Sequence, residues 1–291
     1  MSYTGILHNY AGRHAAFEFA PTKLPNVLIA IGGMTDGLLT VPYVQGLPEV
    51  MKQYNYSVIQ IQYTSSFKGW GTSSLQQDIK EIAQLIRFLK SEKGGKRDKI
   101  MLIGHSTGSQ DVMTYLLNED KYKDCEIVAA ILQGSASDRE AMRMEYDDET
   151  LSNLNKRVEK LIAEGKKDEL LPTEFSNYVF GVPITAYRWW SIMCPGGDDD
   201  YFSSDLDENT LRSTFGKIKK PFLIAYSGKD NFVPDYVDKA AVIEKWRSIA
   251  NPQFWSKNSG LVEGADHFVT QSDSQQFLYS MIKAFMEEFD L

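Results

Sequence analysis

Cysteine is almost absent, with only Cys125 and Cys194 in a chain of 291 residues. One pair cannot make the disulfide framework of a small secreted fold. No clustered His/Cys set accompanies it to suggest zinc, so both read as free thiols of a reducing compartment. Also missing is any uninterrupted apolar run of membrane-spanning length. The first residues, Met1-Ser2-Tyr3-Thr4-Gly5, carry no basic stretch leading into an apolar segment, so no secretory signal is expected and a cytoplasmic location is. Positive charge is in deficit, with 31 Lys and Arg against 39 Asp and Glu and a net charge of −8. That balance argues against a nucleic-acid binder, which needs concentrated cations. No glycine-rich dinucleotide fingerprint follows a strand, no H-E-x-x-H occurs, and Gly94-Gly95-Lys96 lacks the first glycine and the Ser or Thr of a phosphate loop. No cofactor and no metal are therefore expected, and Asp198-Asp199-Asp200 reads as a solvated acidic loop.

What the chain does have is strand and helix in alternation. Val27–Ile31, Ser57–Tyr63, Ile100–Gly104, Ile127–Leu132 and Phe222–Tyr226 are short apolar runs with strand character. Between them Ser74–Lys90 has a helical stripe (Leu75, Ile79, Ile82, Leu85, Ile86, Leu89), with Ser73 or Ser74 as its cap, and Val237–Ile249 and Gln275–Phe289 read as helices. Such alternation predicts one α/β domain, a mostly parallel sheet with helices on both faces, with Ala15–Phe19 as an antiparallel edge strand. Between about residues 136 and 220 the pattern breaks. This stretch is expected to be a helical lid over the sheet's C-terminal edge, where open α/β sheets bind ligands. Trp189 and Trp190 in it either wall the pocket or anchor the lid.

Gly104-His105-Ser106-Thr107-Gly108 fits G-x-S-x-G, directly after the strand Lys99–Ile103 and before a helix. The chemistry needs that context. A sharp strand–helix turn lifts the serine clear of the sheet at a helix N-terminus, and the flanking glycines prevent collisions with neighbouring backbone. A serine hydroxyl also needs a base. Of four histidines, His8 and His14 precede the first core strand, and His105 sits beside the serine on the turn, pointing elsewhere and toward a substrate role. His267, after the last short strand (Gly260–Glu263), remains as the base. The orienting acid is expected at Asp230, which follows a strand. Asp138 is its rival, otherwise an N-cap, and Asp266 reads as a loop residue. Backbone donors for an oxyanion are expected at Thr107 and in Gly32-Gly33-Met34-Thr35-Asp36-Gly37, from Met34 or Gly33. A serine esterase acting on a small-molecule ester follows. A thioesterase, a peptidase, or a binding protein with an idle triad stays open, since fold and triad do not set the leaving group.

Four stretches go further: Gly32–Gly37, Gly104–Gly108, Ile131-Leu132-Gln133-Gly134-Ser135-Ala136-Ser137-Asp138-Arg139-Glu140 and Asp199-Asp200-Tyr201-Phe202-Ser203-Ser204-Asp205-Leu206. Through them, with Asp230 and His267, the chain resembles over nearly its whole length the fungal α/β-hydrolase family DUF1749 (UPF0613). That family includes an intracellular esterase of fusarinine-type siderophores. The resemblance implies hydrolysis of esters linking hydroxamate units, with a ferric hydroxamate siderophore as the ligand. Gly134-Ser135-Ala136 departs from the bulkier or proline-containing stretch expected there. The Asp199–Leu206 loop either shapes the cleft or caps a helix starting near Asp205, with Ser204 and Asp205 as good capping residues.

Overall fold

Strand-forming runs and amphipathic stripes alternate along residues 2–291, the part of the chain that the computed structural model describes. Eight strands, β1 (Gly5–Ala11), β2 (His14–Phe19), β3 (Asn26–Ile31), β4 (Tyr56–Gln62), β5 (Ile100–His105), β6 (Ala129–Gln133), β7 (Phe222–Ser227) and β8 (Gly260–Val262), form one sheet. Its order is β1-β2-β4-β3-β5-β6-β7-β8. The strands from β3 onward pair in parallel, and β1 and β2 join antiparallel at one side. Helices cover both faces, so the central strands are mostly apolar on both sides; Val27, Leu28, Ile29 and Ala30 of β3 are all buried.

One face packs on α2 (Leu75–Lys90), α3 (Gly108–Leu117) and α8 (Lys239–Ile249), the other on α1 (Leu47–Met51) and α9 (Ser272–Phe289). Ser74 caps α2 by accepting the Gln77 N–H at 3.2 Å. The edge strand is β1, outside the expected Ala15–Phe19 segment. Alternation is masked in β1 because Leu7 faces solvent, 64% exposed. Meanwhile the inward His8 is satisfied by Glu18 at 2.8 Å, and Glu18 in turn by the buried Arg97 at 2.9 Å.

Between β6 and β7 the chain leaves the sheet and forms α4 (Asp138–Met142), α5 (Asp148–Ala163), α6 (Ala186–Met193) and α7 (Glu208–Ser213). Leu154, Val158, Phe175 and Trp189 give this covering segment an apolar cluster of its own, which reaches the body at Trp70. Its polar anchor is Arg188, 2% exposed, which donates to Asp199 at 2.7 Å and to the Trp70 carbonyl at 3.1 Å.

The acidic loop is thus only partly solvated. Asp198 is exposed, but Asp199 holds Arg188 and Asp200 accepts from Arg139 at 2.9 Å. Nor do Ser204 and Asp205 cap a helix. Asp207 caps α7, accepting the Thr210 N–H at 2.7 Å, while Asp205 pairs with Arg139 and the Ser204 hydroxyl bonds Glu140 at 2.6 Å. The stretch from Asp199 to Asp205 straps α4 to α6. Among the described residues no helix is long and apolar enough to cross a membrane.

Candidate active site

The turn from β5 into α3 is as tight as the glycines require. Ser106 has φ +53°, a left-handed conformation costly for a side chain other than glycine. A β-carbon at Gly104 would lie 2.2 Å from the Gly108 carbonyl oxygen, and one at Gly108 would lie 2.6 Å from that of Ile31. Ser106 stands at the mouth of α3, half-buried, and its own N–H is spent on the Gln133 carbonyl at 2.9 Å. The N–H of Thr107 donates to nothing among the described residues.

The loop after β3 comes down beside the serine. A β-carbon on Gly33 would sit 2.7 Å from Cβ of Ser106. The Gly33 N–H is bound to Asp36 Oδ2 at 2.8 Å, and that of Met34 has no partner among the described residues. Of the two alternatives read from the sequence, only Met34 offers an unspent donor. Asp36, named before only within its glycine motif, is the residue that shapes this loop.

His267 and Asp230 are 3% exposed each and joined by short contacts, Nδ1 to Oδ2 at 2.8 Å and to Oδ1 at 3.0 Å. The Asp230 carboxylate also accepts the Phe232 N–H at 3.0 Å. A proton on Nδ1, held by the carboxylate, leaves Nε2 with its lone pair. Neither rival carboxylate bonds the imidazole. Asp138 accepts from Gln110 at 2.6 Å, and Asp266 accepts the Thr270 N–H at 2.9 Å. Asp138 is not the cap of its helix either, since Ser137 accepts the Glu140 N–H at 3.2 Å. The phenyl ring of Phe232 meets the imidazole edge-on, 4.7 Å between centroids, and the backbone of Gly134 (φ +62°) packs so closely that a β-carbon there would lie 3.4 Å from Cε1 of His267.

Ser106, His105 and His267 line one cavity of about 250 Å³, with Met34, Asp36, Asp138, Tyr146, Tyr178, Phe180, Phe232 and Phe268. Trp189 and Trp190 do not line it. Trp189 is fully buried and donates to Asn155 at 2.8 Å, inside the covering segment. The hub beneath the site is Gln133, a residue of the Ile131–Glu140 motif whose task no local pattern shows. It takes the Ser106 N–H on its carbonyl. Its side chain meets His105 Nδ1 at 2.6 Å and donates to Ser227 at 2.9 Å. His105 is 1% exposed, and burial, together with the neighbouring His267, pushes it down to about 4, so it stands as a neutral imidazole.

Comparison with known proteins places the chain among relatives. The chain is 32% identical to "Esterase AN6793" of Emericella nidulans over 90% of its length and 86% of that protein's. It is 31% identical to "Fusarinine C esterase sidJ" of Aspergillus fumigatus, covering 97% of this chain and 95% of the relative. Among solved structures, "Siderophore hydrolase EstB from Aspergillus fumigatus" superposes with a TM-score of 0.82 at 29% identity, over 99% of this chain and 98% of that one. Est1E of Butyrivibrio proteoclasticus, at 16% identity and a TM-score of 0.60 over 99% of each chain, shares the fold. Residues 1–287 match the family described as "Protein of unknown function (DUF1749)", and the chain belongs to that α/β-hydrolase family.

Proposed function

We propose that this carboxylic ester hydrolase works through Ser106 as nucleophile, His267 as general base and Asp230 as the acid that orients it, on esters of fusarinine-type hydroxamate siderophores. One observation carries the mechanism: the Asp230 carboxylate holds His267 Nδ1 at 2.8 Å on the wall of the cavity that Ser106 also lines. With Nδ1 so held, Nε2 takes the proton from Ser106 as the oxygen attacks the ester carbonyl, and the buried carboxylate stabilises the imidazolium that forms. The unspent N–H groups of Met34 and Thr107 receive the oxyanion, at a helix N-terminus whose dipole favours negative charge. His267 then protonates the leaving alcohol, and a water that it deprotonates releases the acid from Ser106.

The substrate class rests on kinship with the fusarinine C esterase and the siderophore hydrolase. Release of siderophore acids inside the cell fits two buried free thiols. The test is hydrolysis of ferric and iron-free fusarinines against a panel of simple esters, read by mass spectrometry, together with labelling by a fluorophosphonate probe. Ser106→Ala is expected to abolish turnover and labelling while the circular-dichroism melt is kept. A folded wild-type protein that neither turns over esters nor labels at Ser106 would mean an idle triad. Turnover of simple esters alone would remove the siderophore reading and leave the mechanism.

A further inference from the structure

The cavity wall has a one-sided chemistry. Three carboxylates line it, Asp36, Asp138 and Glu145, and among the described residues no Lys or Arg does. Asp36 and Asp138 each accept one hydrogen bond through Oδ2, from the Gly33 N–H and from the Gln110 amide, and neither Oδ1 has a hydrogen-bond partner among the described residues. Glu145 is exposed at the rim.

A second, independent feature has the same sign. Gln133 donates its amide N–H to Ser227, so its Oε1 faces His105 Nδ1 as an acceptor, and His105 must donate there. The opposite nitrogen, Nε2, is then a bare acceptor in a neutral imidazole. It is buried without a partner, 4.0 Å from Asp36 Oδ2, on a residue of the cavity wall. Among the ionisable side chains of the wall there are thus acceptors and carboxyl groups but no cation. Aromatic rings make up much of the remainder: Tyr146 and Tyr178 touch at 4.7 Å between centroids, and Phe180, Phe232 and Phe268 complete the wall. Rings with a negative face beside carboxylates are complementary to a cation, and a desolvated site without a guanidinium or ammonium penalises an anion.

The volume sets the scale. About 250 Å³ is just below the range of roughly 300–1,000 Å³ usual for small-molecule pockets, so it takes one arm of a large ester and not the whole.

Accepting the esterase reading above, we propose that the cavity selects esters whose seated arm carries a protonated amine, with Asp138 as the principal counter-charge and Tyr146 and Tyr178 as ring faces. The electrostatics of Asp138 agree. Burial and the negative Asp199 and Asp200 push its carboxyl up to about 8, against the pull of Arg188 and the Gln110 hydrogen bond. An incoming ammonium supplies the compensation that this carboxylate lacks, and displaces its proton.

The test compares esters matched in length: methyl ε-aminocaproate, methyl heptanoate and methyl hydrogen adipate for the acyl side, and aminohexyl against heptyl acetate for the alcohol side. In at least one series the ammonium ester is expected to exceed its neutral partner in kcat/KM on the order of tenfold, with the anion poorest. Asp138→Asn, checked for folding by its thermal melt, is expected to bring that ratio close to one. Turnover of neutral and cationic esters at equal rates in both series overturns the proposal and leaves the esterase reading standing. So does an unchanged ratio in folded Asp138→Asn. Inactivity toward all five, with no fluorophosphonate labelling, overturns the esterase reading itself.

Discussion

The floor and the roof of the cavity are held in different ways. The floor is the end of a parallel sheet: Ser106, Gln133, Asp230 and His267 stand on or just past β5, β6, β7 and β8, tied by neutral hydrogen bonds and one carboxylate–imidazole pair. The roof, from α4 to α6, hangs on ions. A single fully buried guanidinium, Arg188, sits among Asp78, Asp111, Asp138 and Asp199, all four of which burial pushes above the usual carboxylate range. In the floor Gln133 and Asp230 hold His105 and His267 each by a directed hydrogen bond, which fixes the two imidazoles in place and suits proton transfer. Where the roof meets the body one cation serves four acids, two of them on α2 and α3, which fixes position and leaves protons in surplus.

The sharpest way to break this contrast is to spoil direction in the floor alone. Asp230→Asn keeps the shape and lets the wrong tautomer of His267 form. Its kcat on a simple ester is expected to fall on the order of 10,000-fold with the melting temperature close to wild type. A tenfold loss would mean that the pair is structural. In the roof the counterpart is Arg188→Ala, which strands Asp199 and its neighbours without a cation; it is expected to cost about 3–5 kcal/mol in urea unfolding. A loss under about 1 kcal/mol, the size of a surface pair, would show that the four acids do not need their guanidinium.

The smallest effect concerns the surplus protons. Folded Asp138 keeps a proton up to about 8, whereas an unfolded aspartate releases it near pH 4. The folded state therefore holds the extra proton between those limits, and stability falls as pH rises through them. Asp138→Asn is expected to lose less stability than wild type between about pH 5 and pH 8 by chemical denaturation. Equal slopes for the two proteins would place the carboxyl in the ordinary range.

The same contrast governs what could be read from residues. The floor is written locally: an apolar strand, then glycines at fixed spacing around Ser106, an acid after β7 and a histidine after β8. Each is a short-range pattern with a steric or chemical reason. The parallel core was legible for a similar cause, because strands covered on both faces are mostly apolar. The roof is written in long-range pairs. Arg188 with Asp199, Arg139 with Asp205 and Ser204 with Glu140 have no period to betray them, so the loop from Asp199 to Asp205 read as a solvated turn or a cap when it is a strap. Whether Trp189 walls the pocket or anchors the lid stayed open for want of its partner Asn155, and it is an anchor. Strand β1 escaped because an outward Leu7 and an inward His8 invert the usual alternation. Asp36 and Gln133 were visible as letters of motifs, but their tasks depend on which backbone group comes to rest beside them.

Arg188 also constrains how a substrate gets in. It is fastened to the roof at Asp199 and to the body at the Trp70 carbonyl, with Asp78 of α2 and Asp111 of α3 close enough to feel its charge. Swinging the whole roof away would drag that charge from its counter-ions across an apolar seam. Admission by rearrangement of the rim, where Thr35, Glu145 and Phe180 are already exposed, moves side chains and no buried ion. The doorway is therefore a matter of rotamers, and traffic through it should be fast compared with any hinge.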